Sequence, residues 1–194
     1  MKNMLNVVIF GAPGSGKGTQ SELIISKYGL YHISTGDILR QEIKKQTELG
    51  AIAEDYIKQG QLIPDELIIK MLAEVLDANP QAKGYIFDGF PRTIAQGEAL
   101  NEMLRERNTS IVAVLILIVD EKELINRLIK RGEESGRTDD NLEVIQSRLE
   151  VYREQTEPLK EYYKKKGKLF QIKGNNVIEE VFEQITNVLD RLSL

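Results

Sequence analysis

The stretch GAPGSGKGT, residues 11–19, constrains this chain more than any other. It follows the apolar run LNVVIF and precedes QSELIISKYG, a helix-like segment. A strand, a glycine turn and a helix in that order let consecutive backbone N–H groups converge on phosphate oxygens. The positive end of the helix adds to their field. Gly11, Gly16 and Lys17 stand in register with the phosphate-loop pattern G-x-x-x-x-G-K-[ST]. In that pattern the last position offers Mg²⁺ a hydroxyl. Here the position is Gly18, and Thr19 comes one residue late. Either the loop is damaged or it holds its metal differently.

Such a loop belongs at the edge of a parallel sheet, and the rest of the chain supplies one. Strands are expected at 5–10, 30–33, 84–88, 110–118 and 168–172, each rich in Val, Ile, Leu, Phe or Tyr. Helical patterns lie between them, as in Val144, Ile145, Leu149 and Tyr152, or Val181, Phe182, Ile185, Val188 and Leu189. Strands with few polar residues imply a sheet covered on both faces. Right-handed crossovers then give a doubly wound α/β fold on a five-stranded parallel sheet, with ligands at the C-terminal strand ends. Two segments break the alternation. Residues 34 to about 80 hold several helical stretches and no strand, so a helical excursion should rise from the sheet edge. Residues 132–138, GEESGRT, are polar and glycine-bearing and read as a mobile flap. Lys164–Lys166 reads as a solvated helix end.

Composition narrows the function classes. The chain has 194 residues, enough for one large domain or two small ones. Its longest apolar run, Ile111 to Val119, suits a buried strand and is too short to cross a bilayer, so no membrane partner is expected. The net charge of −4 argues against a nucleic-acid partner. Cysteine is absent, which removes disulfides and thiolate metal sites and fits a reducing compartment. The N-terminal apolar run leads into the glycine loop rather than a cleavage site, so the expected location is the cytoplasm.

Three further signals carry chemistry. In GYIFDGFPR, 84–92, Asp88 ends an apolar strand, where a phosphate-loop protein places the carboxylate that organises Mg²⁺. Phe90-Pro91 stiffens the turn, so Arg92 points from a fixed backbone. Arg127 and Arg131 share a helix face, Arg137 lies in the flap and Arg148 on the next helix. Each alone reads more readily as solvated than as functional. With Lys17, Arg40 and Arg92 they form a set suited to phosphoryl transfer. That reaction needs cations to align donor and acceptor and to stabilise the transferring group. Planar guanidinium groups do so through forked hydrogen bonds.

These residues bring the chain close to a known family. It resembles the adenylate kinases through GAPGSGKGTQ (11–20), HISTGDILR (32–40), GQLIPDEL (60–67), FDGFPRTIAQ (87–96), INRLIKRG (125–132), SGRTDDN (135–141) and IQSRLEVYREQTEPL (145–159). The stretches run in family order over most of the chain, and STGD with FDGFPR is highly specific. The resemblance implies reversible transfer of the terminal phosphoryl group of MgATP to AMP, giving two ADP, in adenine nucleotide homeostasis. It also answers the question of Gly18. In this family GKGT is the normal loop ending; nucleotide phosphates and waters hold Mg²⁺, and a carboxylate at the place of Asp88 orders the waters.

By the same resemblance, Gly14, Ser15, Gly16, Lys17, Gly18 and Thr19 hold ATP phosphates, joined by Arg127 and Arg131. Thr35 and Arg40 bind AMP, the backbone at Gln61, Leu62 and Ile63 lines its base, Gly89, Phe90, Pro91 and Arg92 take its phosphate, and Gln96 reads adenine. Arg137 and Arg148 bridge AMP and the transferring group, with Asp139 and Asp140 positioning the arginines. Lys17, Asp88, Arg92, Arg127, Arg131, Arg137 and Arg148 form the expected catalytic set. The whole chain reads as one adenylate kinase domain: a core of 1–33, 64–130 and 142–194, an AMP-binding arm at 34–63 and a short lid at 131–141. That lid and the lack of cysteine imply no zinc. Among Gly174-Asn175-Asn176, the spacing to Val181-Phe182 favours Asn176 as the contact to the ATP adenine. His32 reads as a structural histidine, with a role near the phosphates as the lesser alternative. A monomer is expected, because arm and lid must both move. The other readings are a UMP/CMP kinase, which Gln96 disfavours, and a non-catalytic nucleotide-binding regulator, which the arginine set disfavours.

Overall fold

The structure, a computed structural model, describes residues 4–192. The outermost residues of the expected core, 1–3 and 193–194, lie outside the described residues. Strand β1 (Asn6–Gly11) runs into the glycine turn and helix α1 (Lys17–Tyr28), and the chain returns as β2 (Tyr31–Ser34). Three helices follow without a strand: α2 (Thr35–Lys44), α3 (Glu48–Lys58) and α4 (Asp65–Ala78). Then come β3 (Tyr85–Asp88), α5 (Ile94–Glu106), β4 (Ile111–Ile118), α6 (Glu121–Ser135) and α7 (Leu142–Val151). A π-helical turn, Tyr152–Thr156, leads to α8 (Leu159–Lys165), β5 (Leu169–Lys173) and α9 (Ile178–Leu192). Each strand lies within one residue of its expected place.

All strand pairs are parallel, in the order β2-β3-β1-β4-β5. The first crossover skips a position that β3 later fills, and β4 lies on the far side of β1. The order reverses beside β1, so the crevice at its C-terminal end is the natural ligand site. The register places Asp88 opposite Ile9 on one side and Ser34 on the other. The glycine turn, Asp88 and the start of α2 thus share one sheet edge.

Alternation along β1 divides the core. Val7 and Ile9 pack with Ile24 of α1 and with Ile185 and Leu189 of α9. Val8 and Phe10 face the other way, into a cluster with Leu72 of α4, Leu100 and Leu104 of α5 and Tyr163 of α8. Both faces are covered, which is why the strands read as unbroken apolar runs. A third cluster, Leu124, Leu128, Ile145 and Leu149, ties α6 to α7. The stretch 132–138 divides in two: α6 continues through Ser135 and stops at Gly136, whose φ is +64°. The charged residues Glu133 and Glu134 are good helix formers, so polarity alone did not mark a loop there.

The α2–α3 corner is tightly made. Thr47 caps α3 by accepting the Gly50 N–H at 3.0 Å, and its hydroxyl donates to the Glu42 carboxylate at 2.8 Å. A methyl on Gly50 would collide with the backbone carbonyl of Glu42. Gly50→Ala must therefore part α2 from α3, and it should destabilise the protein by about 1–3 kcal/mol. Urea unfolding would show this as a lower midpoint at unchanged slope. An unchanged midpoint would mean that the corner yields freely.

Candidate active site

The glycine turn has the backbone its sequence requires. Gly14 and Gly16 take φ of +82° and +92°, a region that side chains disfavour. A Cβ on Gly14 would also stand 2.8 Å from the Leu124 carbonyl oxygen, so the turn lies pressed against α6. Gly16 is the residue just before α1, and no side chain caps that helix. Its first N–H groups are therefore available to an anion. Lys17 turns back into the turn, donating to the carbonyls of Gly11 at 2.8 Å and Ala12 at 3.0 Å. Burial pushes its pKa down to about 8, against the pull of Asp88 and with help from Arg92 and Arg148.

Asp88 is buried at the end of β3. The Ser21 hydroxyl donates to its Oδ2 at 3.4 Å, and His32 Nε2 lies 3.7 Å from the same oxygen. His32 thus stands beside the carboxylate and on the wall of the cleft, not in the core. Ser21 escaped sequence reading, although its spacing from Lys17 puts both on one face of α1.

Carboxylates order the arginines. The Asp140 side chain is fully buried and accepts from Arg131 Nε at 2.6 Å, Arg131 Nη2 at 2.8 Å and Arg148 Nη1 at 2.8 Å. Burial works to raise its pKa, yet Arg131 and Arg148 hold it below the ordinary carboxylate range. Asp139 pairs with Arg148 at 2.8 Å. Arg127 donates to Glu123 at 2.7 Å and to the Gly174 carbonyl at 3.2 Å. Asp37, not singled out in the sequence, pairs with Arg40 at 2.6 Å and lies 3.9 Å from Arg137. Burial, then Arg40, lowers the Arg137 pKa. Burial does the same to Arg92, with Arg148 adding to it.

Two cavities open at this edge. The smaller is walled by Thr35, Leu39, Ile57, Ile63, Ile68 and Gln96, with Gln61 and Leu62 beside them. The larger holds the glycine turn, Thr19, Asp88, Arg127, Arg131 and Arg137. They share Arg40, Arg92 and Arg148, together with Gly36, Gly60, Leu62 and Gly89. The Gly89 carbonyl pins this junction, accepting from the Thr35 hydroxyl at 2.9 Å and from Arg92 Nε at 2.8 Å. The arrangement can therefore hold two anions end to end, with cations where they meet. Tyr152 and Thr156 of the π-helical turn also wall the larger cavity.

Some expected residues stand apart. Phe90 is wholly buried in the core, while Pro91 reaches the larger cavity. Ser15 is buried in the turn, 3.4 Å from the Lys17 ammonium. Asn176 is exposed, donates to Glu180 at 2.8 Å and walls neither cavity.

Comparison with known proteins gives the same picture throughout. The sequence model of a family described as adenylate kinase matches residues 9–168. An adenylate kinase of Azobacteroides pseudotrichonymphae genomovar. CFP2 is 65% identical over 189 residues, covering 97% of this chain and 99% of the relative. One of Parabacteroides distasonis is 63% identical over 189 residues, covering 97% and 100%. One of Porphyromonas gingivalis (strain ATCC BAA-308 / W83) is 50% identical over 188 residues, covering 97% of each.

The depressed pKa of Lys17 gives a prediction with a definite sign. Between about 8 and the ordinary 10.5, the unfolded chain holds the Lys17 proton and the folded one does not. Stability then rises with pH across that window, on account of this residue. Compared with Lys17→Met, which lacks the titration, the wild type should gain stability as pH rises from about 8 towards 10.5. Paired urea titrations would measure it, and a gap that does not move across that window contradicts the assignment.

Proposed function

This chain belongs to the adenylate kinase family, and on that premise we propose how its joined cavities divide the reaction. The enzyme is an ATP:AMP phosphotransferase: it moves the terminal phosphoryl group of ATP to AMP, reversibly, giving two ADP. In our reading the larger cavity takes ATP. Gly14 to Thr19 receive its phosphates, with Lys17, Arg127 and Arg131 as counter-charges, and Asn176, exposed beyond the wall of that cavity, is assigned to its adenine. The smaller cavity takes AMP. Thr35, Arg40 and the backbone at Gln61, Leu62 and Ile63 surround the nucleoside, Gly89 to Arg92 receive the phosphate, and Gln96 reads the base.

The observation that carries this division is the shared wall of Arg40, Arg92 and Arg148. An AMP phosphate oxygen attacks the γ-phosphorus in line, the bond to the β–γ bridging oxygen breaks, and that oxygen leaves on ADP. The attacking oxygen is already anionic, so no strong base is needed at His32. The residues work by placement and charge: arginines hold both ends while negative charge spreads over the transferring oxygens. Asp139 and Asp140 hold Arg131 and Arg148 in place before substrate arrives.

Segments 34–63 and 131–141 act in this proposal as an AMP-binding arm and a lid that close to exclude water, which would otherwise accept the phosphoryl group. The approach of Arg137 in the lid to Asp37 in the arm, 3.9 Å, supports such a closure.

Adenylate kinases use Mg²⁺ with ATP, and the residues present fit that ion. Mg²⁺ keeps several waters and takes one or two carboxylates plus substrate phosphates. Asp88 is one buried carboxylate at the phosphate edge, and among the described residues no three acidic, His or Cys side chains gather into a cage. Asp88 would hold the ion through water. When bound, it neutralises charge on the β- and γ-oxygens.

No helix among the described residues is long and apolar enough to cross a membrane. A cytoplasmic monomer without a nucleic-acid partner completes the proposal, since both moving segments must swing clear of neighbours. The relatives lend no support to the pyrimidine kinase or to the non-catalytic regulator.

Lys17→Met tests the ATP side. The glycine turn and its N–H groups remain, so the fold should persist by circular dichroism. The transition state loses a preorganised cation, and kcat should fall by about 10²–10³. A mutant with more than about half the wild-type kcat would remove Lys17 from the mechanism.

A further inference from the structure

A glutamine amide is nearly symmetric in shape, and turning it over exchanges its oxygen and nitrogen. The exchange matters at a purine edge. Adenine presents a ring-nitrogen acceptor beside an amino donor. Hypoxanthine presents a ring N–H beside a carbonyl. One orientation of an amide matches the first, and the reversed orientation matches the second. A free glutamine would therefore read both bases.

Gln96 is not free. It is 3% exposed, and its Nε2 donates to Asp65 Oδ1 at 2.7 Å. Its Oε1 accepts from the Arg92 backbone N–H at 2.7 Å. A carboxylate can only accept and a backbone N–H can only donate, so these two neighbours settle which end is which. Reversal would set acceptor against acceptor at Asp65 and donor against donor at Arg92. Asp65 is itself anchored, because its other oxygen accepts from the Thr93 hydroxyl at 2.9 Å. Thr93 in turn caps α5 by accepting the Gln96 N–H at 3.1 Å. Each end of the amide keeps one further bonding position, a second N–H and a second lone pair, for a base.

We propose that Asp65 is a positioning residue for base choice: it locks the Gln96 amide in the orientation that accepts a 6-aminopurine monophosphate and rejects a 6-oxopurine monophosphate. The inference rests on the reading of the smaller cavity as the AMP site. Asp65 touches no substrate in it and acts only through Gln96. A merely structural Asp65, a tie between α4 and α5, would affect AMP and IMP alike.

The test compares kcat/KM for AMP and for IMP, at fixed ATP, in full-length wild type, Asp65→Ala, Asp65→Asn and Gln96→Leu. The wild type should prefer AMP by at least about 100-fold, since a wrong partner leaves buried polar groups unpaired. Asp65→Ala should cut that preference by about tenfold or more, through a higher KM for AMP and better use of IMP, with kcat for AMP and KM for ATP within about twofold. Asp65→Asn can turn its oxygen to Gln96 and its amide to Thr93, and it should restore the preference to within about threefold. The proposal is overturned if Asp65→Ala keeps the wild-type preference, or loses AMP and IMP in equal proportion.

Gln96→Leu separates the two layers. If it spares the preference, the smaller cavity does not read the base and the site assignment itself fails. If it abolishes the preference while Asp65→Ala does not, only the role of Asp65 fails. Should Asp65→Ala not fold, the wild type decides by nuclear magnetic resonance. A scalar coupling across the bond from Gln96 Nε2 to Asp65 Cγ supports the lock. A Gln96 amide as averaged as that of exposed Gln41 overturns it.

Discussion

A buried carboxylate, Asp140, accepting three hydrogen bonds from two arginines is the interaction on which this site depends. Lys17, Arg40, Arg92, Arg127, Arg131, Arg137 and Arg148 all wall one cleft, and like charges so placed repel. Their mutual repulsion is visible in Lys17, Arg92 and Arg137, where neighbouring cations add to burial in lowering the pKa. Asp140 offsets part of this cost with a side chain that is fully buried and does not wall the cleft. It joins Arg131 on α6 to Arg148 on α7, so the clamp fixes the geometry of two helices as well as two charges. Arg131 engages it through two parallel bonds, which sets orientation as well as distance.

The sheet supplies the rest of the order. Its strand reversal beside β1 creates the crevice, and its register sets Asp88 at the level of the glycine turn. In the proposed reading Gly18 is no defect. Nothing lies within 4 Å of where its side chain would be, and the Ser21 hydroxyl, one turn further along α1, donates to Asp88. In the proposed assignment the phosphate side is backbone and cation, with its carboxylate held from behind.

Much of this was legible in the sequence, for reasons that differ by element. The strands were legible because a sheet buried on both faces writes itself as apolar runs, and Ile111 to Ile118 is the clearest case. The glycine turn was legible because Gly14 and Gly16 meet a backbone need that few other residues can meet. The helical end of α6 was not, since Glu133 and Glu134 serve an exposed helix and a loop equally well. The π-helical turn at 152–156 was not, because the apolar spacing around it reads as continuous helix. Ser21 carries no local pattern, and for Asp37 and Asp65 the stretches STGD and GQLIPDEL mark the place without showing what each carboxylate holds. Their roles come from partners such as Arg137, Gln96 and Asp88, which lie far along the chain and meet only after folding. The place of His32 beside Asp88 was hidden for the same reason, because only strand register brings the two together.

The central claim is that the transfer step runs on cations ordered in advance by Asp140. The direct measurement is the single-turnover rate of phosphoryl transfer in Asp140→Asn, followed by rapid quenching so that slow product release does not mask the chemistry. Asn keeps the size but removes the charge and one of the paired acceptors. The account predicts a folded enzyme whose transfer rate falls by about 10²-fold or more, the scale of losing preorganised charge stabilisation. A folded Asp140→Asn enzyme that transfers at the wild-type rate would contradict it.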